Sequence, residues 1–308
     1  MSEETKITPA RDSGTLNLRH WLDNSEGMAL VLTLMILTLI TAMVVEFAYG
    51  VYTSTSALYN WRDSQRLSFV AKSGVAMAVN TISGAPQSEL YKYLGREIPV
   101  PNIPEGFEGS FVIKAEDENS KFNLNSLRTE DSVRVFKRLL GNLGLDEFIA
   151  ERVADWIDPD SDPRLRDSEE GAKNAFMDSV DELLLIKGID RQTYEKLLPY
   201  VTVYNYIGTD DKRVNVNTAS ILVIISLADI SKESAERLVN QRAHEPFKDL
   251  GGAANMGVEL PASFFTADAP KNFRVTSVAE ENKIKRVIDA VVRIERGSQG
   301  KILYWREM

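Results

Sequence analysis

Residues 27–52 read GMALVLTLMILTLITAMVVEFAYGVY, and this stretch decides how the chain is organised. Residues 28–45 are apolar apart from Thr33, Thr38 and Thr41, whose hydroxyls can bond back to a carbonyl one turn earlier in a helix. At about 1.5 Å per residue, a helix over this run is roughly 27 Å long, close to the thickness of the hydrocarbon core of a bilayer. We therefore predict one transmembrane helix that anchors the polar remainder of the chain.

The composition restricts what that remainder does. With 308 residues, one or two globular domains fit after the anchor. The net charge of −9 makes the chain a poor partner for nucleic acid. The sequence has no cysteine, and its two histidines, His20 and His244, are far apart, which leaves little for thiol, histidine or zinc chemistry. It also lacks a Gly-x-Ser-x-Gly or phosphate-loop motif, so we expect no enzyme.

A second apolar pattern follows the anchor. Small and apolar residues recur at spacings of three and four, as on one face of an amphipathic helix: Leu67, Val70, Ala71, Gly74, Val75, Ala78 and Ile82. Gly84 and Pro86 then favour an end to the helix. A continuous helix from residue 28 to residue 82 would be about 80 Å long. The alternative is a short amphipathic helix that is separate from the anchor.

Strand patterns lie on both sides of a long helical region. Residues 107–115 and 121–125 are separated by a polar turn, which predicts a β-hairpin. Three runs near the end of the chain, 273–278, 286–296 and 302–305, also predict strands. We therefore predict an α+β fold in which the long N-terminal helix packs on an antiparallel sheet. The helical residues 126–270 would be an insertion between its strands.

The insertion contains a faint internal repeat. Lys121-Phe122-Asn123-Leu124-Asn125-Ser126 is matched in residue type by Arg213-Val214-Asn215-Val216-Asn217-Thr218. Asn, Ser and Thr are strong N-cap residues, and a helical stretch follows each copy. The repeat predicts two helical subdomains, at about 126–210 and 211–270, each entered through a short strand and a cap.

The densest group of carboxylates lies within residues 155–170. Counted from Asp158 as position 1, the acidic residues Asp158, Asp160, Asp162 and Glu169 fall at positions 1, 3, 5 and 12, which is the spacing of calcium ligands in an EF-hand loop. Glu170 follows directly after the last of them. Carboxylates in such a cluster repel one another, and a hard divalent cation relieves the repulsion. We therefore predict calcium as a cofactor, held by these residues and Glu170.

Two features of the same segment keep another interpretation open. Pro163 stands at position 6, where an EF-hand needs glycine, so the loop departs from the standard form. Arg164 and Arg166 lie within the segment, so a solvated acidic loop with these two arginines as partners is the alternative. Asp167 and Asp178 are weaker candidates for a ligand.

The start of the apolar run resembles the processing site of type IV pilin-like precursors. In that superfamily a prepilin peptidase cuts after the glycine, here Gly27, and the new N-terminal amine, here that of Met28, is methylated. This site departs from the usual pattern, since Glu26 stands where a basic residue is common and Leu32 stands where most pilins have glutamate. In lacking this glutamate, the sequence resembles the minor pseudopilin K (GspK) family of type II secretion systems, whose members characteristically lack it too. The alternative is an ordinary, uncleaved anchor.

This resemblance implies a fold and a set of partners. The family has a pilin-like fold carrying a large inserted domain of two SAM-like modules that bind calcium, and the phrases around Asn123 and Asn215 look typical of it. Two other minor pseudopilins would be partners in a pseudopilus tip complex that initiates assembly for the export of folded periplasmic proteins. The major pseudopilin, the prepilin peptidase and the inner-membrane assembly platform would be further partners. The N-terminus would be cytoplasmic, with a single pass through the bacterial inner membrane and a periplasmic C-terminal domain.

The predicted organisation follows from these observations. It comprises a cleaved leader (1–27), a transmembrane helix (28–52), an amphipathic helix with the first part of the pilin-like domain (53–125), the inserted helical domain (126–270) and the C-terminal strands (271–308).

A membrane-anchored periplasmic DNA-binding protein is the alternative function. Residues 183–198 resemble a helix-hairpin-helix, a motif that presents backbone N–H groups to phosphate through a Gly-apolar-Gly turn. A second segment, residues 217–230 followed by 246–250, resembles DNA-uptake proteins of that type. Asp190 replaces the second glycine in the first segment, and Asp229 replaces a glycine in the second. A carboxylate at that place repels phosphate, so we expect no DNA binding.

Overall fold

The computed structural model describes residues 25–100, 107–204, 213–295 and 300–308 of the protein. The chain divides into two compact units, Met1–Arg62 and Asp63–Met308, and each is described by itself. Residues 1–24, most of the predicted leader, lie outside the described residues.

The described elements run in the following order. The α-helices are α1 Ser25–Gly84, α2 Gln87–Tyr93, α3 Glu130–Asn142, α4 Ile149–Ile157, α5 Arg191–Leu197, α6 Ile221–Ala228, α7 Lys232–His244 and α8 Gly251–Ala254. The strands are β1 Ser110–Asp117, β2 Phe122–Asn123, β3 Val201–Thr202, β4 Val214–Asn215, β5 Phe265–Thr266, β6 Asn272–Glu281, β7 Ile284–Arg293 and β8 Lys301–Glu307. Short 3-10 helices are formed by Glu118–Ser120, Leu124–Ser126 and Val180–Leu185.

Helix α1 is continuous over 60 residues, which confirms one long helix and excludes the separate amphipathic helix. In the first unit its large apolar side chains from Met28 to Tyr52 are exposed. Thr33 and Thr38 donate hydrogen bonds to carbonyls three residues earlier, at 2.8 and 2.9 Å. Among the described residues, this helix is the one long and apolar enough to cross a membrane.

In the second unit, the remainder of α1 packs on a four-stranded antiparallel sheet of order β1-β6-β7-β8. The predicted apolar face is buried in this core, with Leu67, Ala71 and Ala78 fully enclosed. A side chain at Gly74 would overlap the hydroxyl of Ser277 on β6, so glycine permits the close approach of helix and sheet. The α+β fold predicted from the sequence is confirmed.

The pairing of the strands corrects one prediction. Residues 107–115 and 121–125 do not form a hairpin, because β1 pairs with β6 and β2 pairs in parallel with β3. The 3-10 helix Glu118–Ser120 turns the chain out of the sheet and into the helical insertion. The three C-terminal runs do form strands, as β6, β7 and β8.

The helical region between β1 and β6 has two parts that repeat one design. A parallel strand pair closes each part, β2 with β3 in the first and β4 with β5 in the second. Asn125 donates to the carbonyl of Met177 (3.0 Å) and accepts from its N–H (2.8 Å). Asn217 clamps Phe247 in the same way, at 2.9 and 2.7 Å. The second asparagine of each sequence repeat therefore ties a distant backbone segment to its own part.

Candidate metal centre

Helix α4 supplies two of the carboxylates of the centre. Its apolar residues Ile149, Val153 and Ile157 are buried in the core of the insertion. Asp155 lies on this same buried side and is fully enclosed, and Asp158 is the C-cap of the helix and 7% exposed. Burying carboxylates is costly unless they are paired or bound to a cation, so this pair needs compensation.

Glu169 brings a third carboxylate to the pair. Each of Asp155, Asp158 and Glu169 offers an oxygen, and these oxygens lie within 4.8 Å of one another. Asp155 Oδ1, Asp158 Oδ1 and both oxygens of Glu169 are buried without a hydrogen-bond donor. The side-chain oxygen of Asn174 is likewise buried without a donor. Together they form a set of hard oxygen donors, the type of group that binds calcium.

The carboxylates destabilise one another's charged forms. Burial raises the pKa of Asp158, and the negative charges of Asp160 and Asp155 raise it further. The pKa of Glu169 is raised by burial and by Asp155 and Asp158. A bound cation would remove this repulsion and favour the ionised carboxylates.

Hydrogen bonds hold Asp155 in place at the bottom of the centre. Its Oδ2 accepts from the backbone N–H of Arg164 at 2.9 Å and from the hydroxyl of Ser168. Its Oδ1 faces the Nε of Arg164, 3.2 Å away. One carboxylate oxygen is therefore used to position the loop, and the other faces the centre.

A second arginine supports the end of α4. Arg128 donates from Nε and Nη2 to the carbonyl of Ile157, at 3.1 and 2.7 Å. Its guanidinium lies 3.7 Å from the centroid of the Phe176 ring, a cation–π stack. These contacts fix the C-terminus of the helix that carries Asp155 and Asp158.

The structure brings together only part of the predicted ligand set. Asp158 and Glu169 belong to the group of three, but Asp160, Asp162 and Glu170 lie outside it and are exposed. Asp160 instead accepts the N–H of Asp162 at 3.0 Å, as in an Asx-turn.

Two residues of the centre were absent from the predicted set. Asp155 was missed because the prediction counted along a loop, whereas the residue reaches the centre from one turn earlier on α4. A carboxylate on the apolar side of a helix was the signal that could have found it. Asn174, with a left-handed φ of 51°, carries no such signal in the sequence.

The two aspartates of the helix-hairpin-helix-like segments have structural roles. Asp190 caps α5 by accepting the N–H of Thr193 at 2.7 Å. Asp229 ends α6 in the left-handed conformation, with φ 57°, and pairs with Arg138 at 2.6 Å. Helix capping thus accounts for both residues, and DNA binding is not favoured.

Comparison with known proteins identifies the class of protein to which this fold and sequence correspond. Two family models described as "Type II secretion system (T2SS), protein K" match residues 120–206 and 214–263. The protein of that name from Pseudomonas aeruginosa is 30% identical over 247 residues, which is 71% of each chain. The Pectobacterium carotovorum protein is 26% identical over 285 residues, covering 80% of this chain and 84% of its own.

A solved structure agrees in fold. A chain in the crystal structure of the GspK-GspI-GspJ complex from enterotoxigenic Escherichia coli superposes with a TM-score of 0.65 at 18% identity, covering 81% of this chain and 98% of that chain. The sequence and the fold define a pilin-like component of a secretion machine. The chain belongs to the type II secretion system protein K family.

Proposed function

We propose that this chain is the minor pseudopilin that joins two other minor pseudopilins in a tip complex and starts growth of the pseudopilus, for export of folded periplasmic proteins. The observation that carries the proposal is helix α1, whose exposed apolar first part continues into a second part packed on the sheet. Such a helix can leave the lipid and pack on other helices through its apolar residues and small residues. The role is mechanical and needs no catalysis.

The N-terminus of α1 suits a subunit at the tip. In pilin-like proteins, a glutamate at the fifth position after the cut meets the N-terminal amine of a neighbouring subunit. Leu32 stands at that position here, so this chain does not offer that contact. We infer that the prepilin peptidase cuts after Gly27, that Met28 becomes the methylated N-terminus, and that α1 begins in the bacterial inner membrane with the following unit in the periplasm. The major pseudopilin and the assembly platform are the remaining proposed partners.

Co-purification tests the proposed assembly. The tagged full chain is co-expressed in cells with the minor pseudopilins of its own secretion system. It is then extracted and purified in a mild detergent. We expect a stoichiometric complex with two of them. A bait carrying residues 1–62 alone is the control, because it tests whether capture by the anchor is non-specific. Purification of the full chain without either partner would contradict the assembly.

We also propose that Asp155, Asp158 and Glu169 hold a calcium ion, with Asn174 as a further oxygen donor. The fit is supported by buried oxygens that accept no hydrogen bond: Asp155 and Asp158 are each more than nine-tenths buried and each has one such oxygen, that of Asp155 lying 3.2 Å from the Nε of Arg164. Calcium takes six to eight oxygen ligands, so water or backbone carbonyls would complete the shell. The ion would brace α4 against the segment carrying Glu169 and stabilise the insertion.

Calcium should therefore raise the melting temperature of the protein. With free calcium at about 100 times Kd, binding to the folded state adds about 2.7 kcal/mol, or roughly 5–10 °C for a chain of this size. Asp158→Asn should abolish the rise, whereas the exposed Asp160→Asn should retain most of it. Thermal unfolding of the full chain in detergent, with calcium or with chelator, measures both. A melting temperature insensitive to millimolar calcium would contradict the proposed site.

A further inference from the structure

Arg164 occupies an unusual place beside the three carboxylates. Its Nε lies 3.2 Å from Asp155 Oδ1 and 3.8 Å from Asp158 Oδ2. Its Nη1 lies 2.7 Å from an oxygen of Glu130, whose side chain is 82% exposed at the start of α3. The guanidinium therefore bridges the buried centre and a carboxylate at the surface.

The two arginines near the centre are held differently. Arg128 donates to a neutral carbonyl and stacks on an aromatic ring, and neither of these contacts is with a carboxylate of the centre. The side-chain contacts of Arg164 are with carboxylates, and its side chain is 28% exposed. A change of charge in the centre therefore acts directly on Arg164, which can reorient toward solvent.

Arg164 and a divalent cation would compete for the same oxygen. Asp155 Oδ1, which has no hydrogen-bond donor, faces the guanidinium. Two positive charges within a few ångströms repel strongly in a partly buried site. Glu130 offers Arg164 a partner outside the centre at no cost in burial.

We infer that Arg164 is a built-in counter-cation of the centre, which neutralises Asp155 and Asp158 in the cation-free protein and withdraws onto Glu130 when a divalent cation binds. This inference rests on the proposed calcium centre. It gives Arg164 control of affinity, since binding must displace it, and it gives Glu130 the role of receiving the displaced side chain. It also unites the two sequence interpretations, because the arginine-paired loop and the calcium-bound loop become two states of one segment.

The test is a calcium titration of the full chain in detergent by calorimetry. Arg164→Gln should bind calcium about tenfold more tightly than the unaltered chain, since the competing charge is gone while the backbone N–H to Asp155 remains. Arg164→Lys, which keeps the charge, should stay close to the unaltered affinity. Arg166→Gln is the matched control: it makes the same change in net charge two residues away, at an exposed side chain with no ion pair within the described residues, and should leave the affinity within about twofold.

A second variant tests the receiving carboxylate. Glu130→Gln should weaken calcium binding several-fold when Arg164 is present. In the Arg164→Gln background, Glu130→Gln should change calcium affinity no more than Asp131→Asn does. Asp131→Asn, an exposed acid in the same first turn of α3, is the control for the loss of one negative charge. Without calcium, Arg164→Gln should lower the melting temperature, because Asp155 and Asp158 lose their counter-charge.

The outcomes separate this inference from the proposed site. If the unaltered chain binds calcium and Arg164→Gln binds it no more tightly than Arg166→Gln does, the counter-cation role is wrong and the calcium site stands. If no variant binds calcium at millimolar concentration, both are wrong and Arg164 is a permanent partner of the carboxylates. Binding that is detectable only in Arg164→Gln would support both.

Discussion

Replacing Glu118 with alanine is expected to destabilise the second unit by about 3–5 kcal/mol, because it removes the enclosed carboxylate that pairs with the two largely buried cations Lys121 and Arg274. Glu118 is fully enclosed and bonds to Lys121 at 2.9 Å, to Arg274 at 2.6 Å and to Thr202 at 2.5 Å. Arg274 lies on β6 of the sheet and Thr202 on β3 of the insertion. The carboxylate therefore fastens the helical insertion to the sheet, and urea unfolding of the full chain in detergent measures its loss.

Glu116 provides the matched control for this substitution. Its side chain is 58% exposed and lies 4.0 Å from the same Lys121, so Glu116→Ala should cost about 1 kcal/mol or less. Equal losses for the two variants would contradict a special role for Glu118.

The same network predicts a dependence on pH. Burial by itself would raise the pKa of the Glu118 carboxyl, but Lys121 and Arg274 bring it below the ordinary value. A lowered pKa in the folded state means that the network stabilises the protein above the pKa of the unfolded chain, and that this stability is lost as the pH falls through the lowered value. Glu118→Ala should flatten that part of the acid unfolding profile.

Replacing Asn217 with alanine should cost about 2–4 kcal/mol, because the buried N–H and carbonyl of Phe247 both lose their partner. The amide satisfies these groups at 2.7 and 2.9 Å. Asn125→Ala should have a similar cost in the first part of the insertion, where the amide clamps Met177. Urea unfolding of each variant gives the difference in free energy of unfolding.

Asn255 is the control for the asparagine substitutions. It is exposed at the end of α8, and Asn255→Ala should change the free energy of unfolding by about 0.5 kcal/mol or less. If Asn125→Ala and Asn217→Ala were as mild as this control, the repeated clamp would not be a structural element.

The features that the sequence predicted correctly depend on local patterns. The apolar run and the three-and-four spacing that follows it specify α1, and alternation specifies the C-terminal strands. The repeat centred on Asn125 and Asn217 predicts two helical parts, since each copy carries its own cap. Strand pairing does not follow from local patterns, because β1 pairs with β6, which lies beyond the whole insertion in the sequence. No local signal distinguishes that arrangement from a hairpin between neighbouring runs.

In the candidate site too, local sequence patterns indicate some of the residues, and others come together only through the folded structure. The density of carboxylates points to the segment in which Asp158 and Glu169 lie close to Asp155, and calcium binding there stays a prediction. Counting EF-hand positions from Asp158 predicts the other ligands only if the loop has EF-hand geometry. Pro163, at the position where an EF-hand needs glycine, indicates that the loop has another geometry. Asp155 reaches the centre because a helix places residues three apart on one side, which is a consequence of α4 and not of the loop.

Mass spectrometry of the N-terminus of the chain, purified from its native membrane, shows whether this member of the type II secretion system protein K family works as a processed minor pseudopilin. A Gly27→Ala variant, which should keep the leader, serves as the control. We expect a chain that begins at Met28 with a methylated amine. A chain that begins at residue 1 or 2 would contradict this expectation and would mean an ordinary, uncleaved membrane anchor.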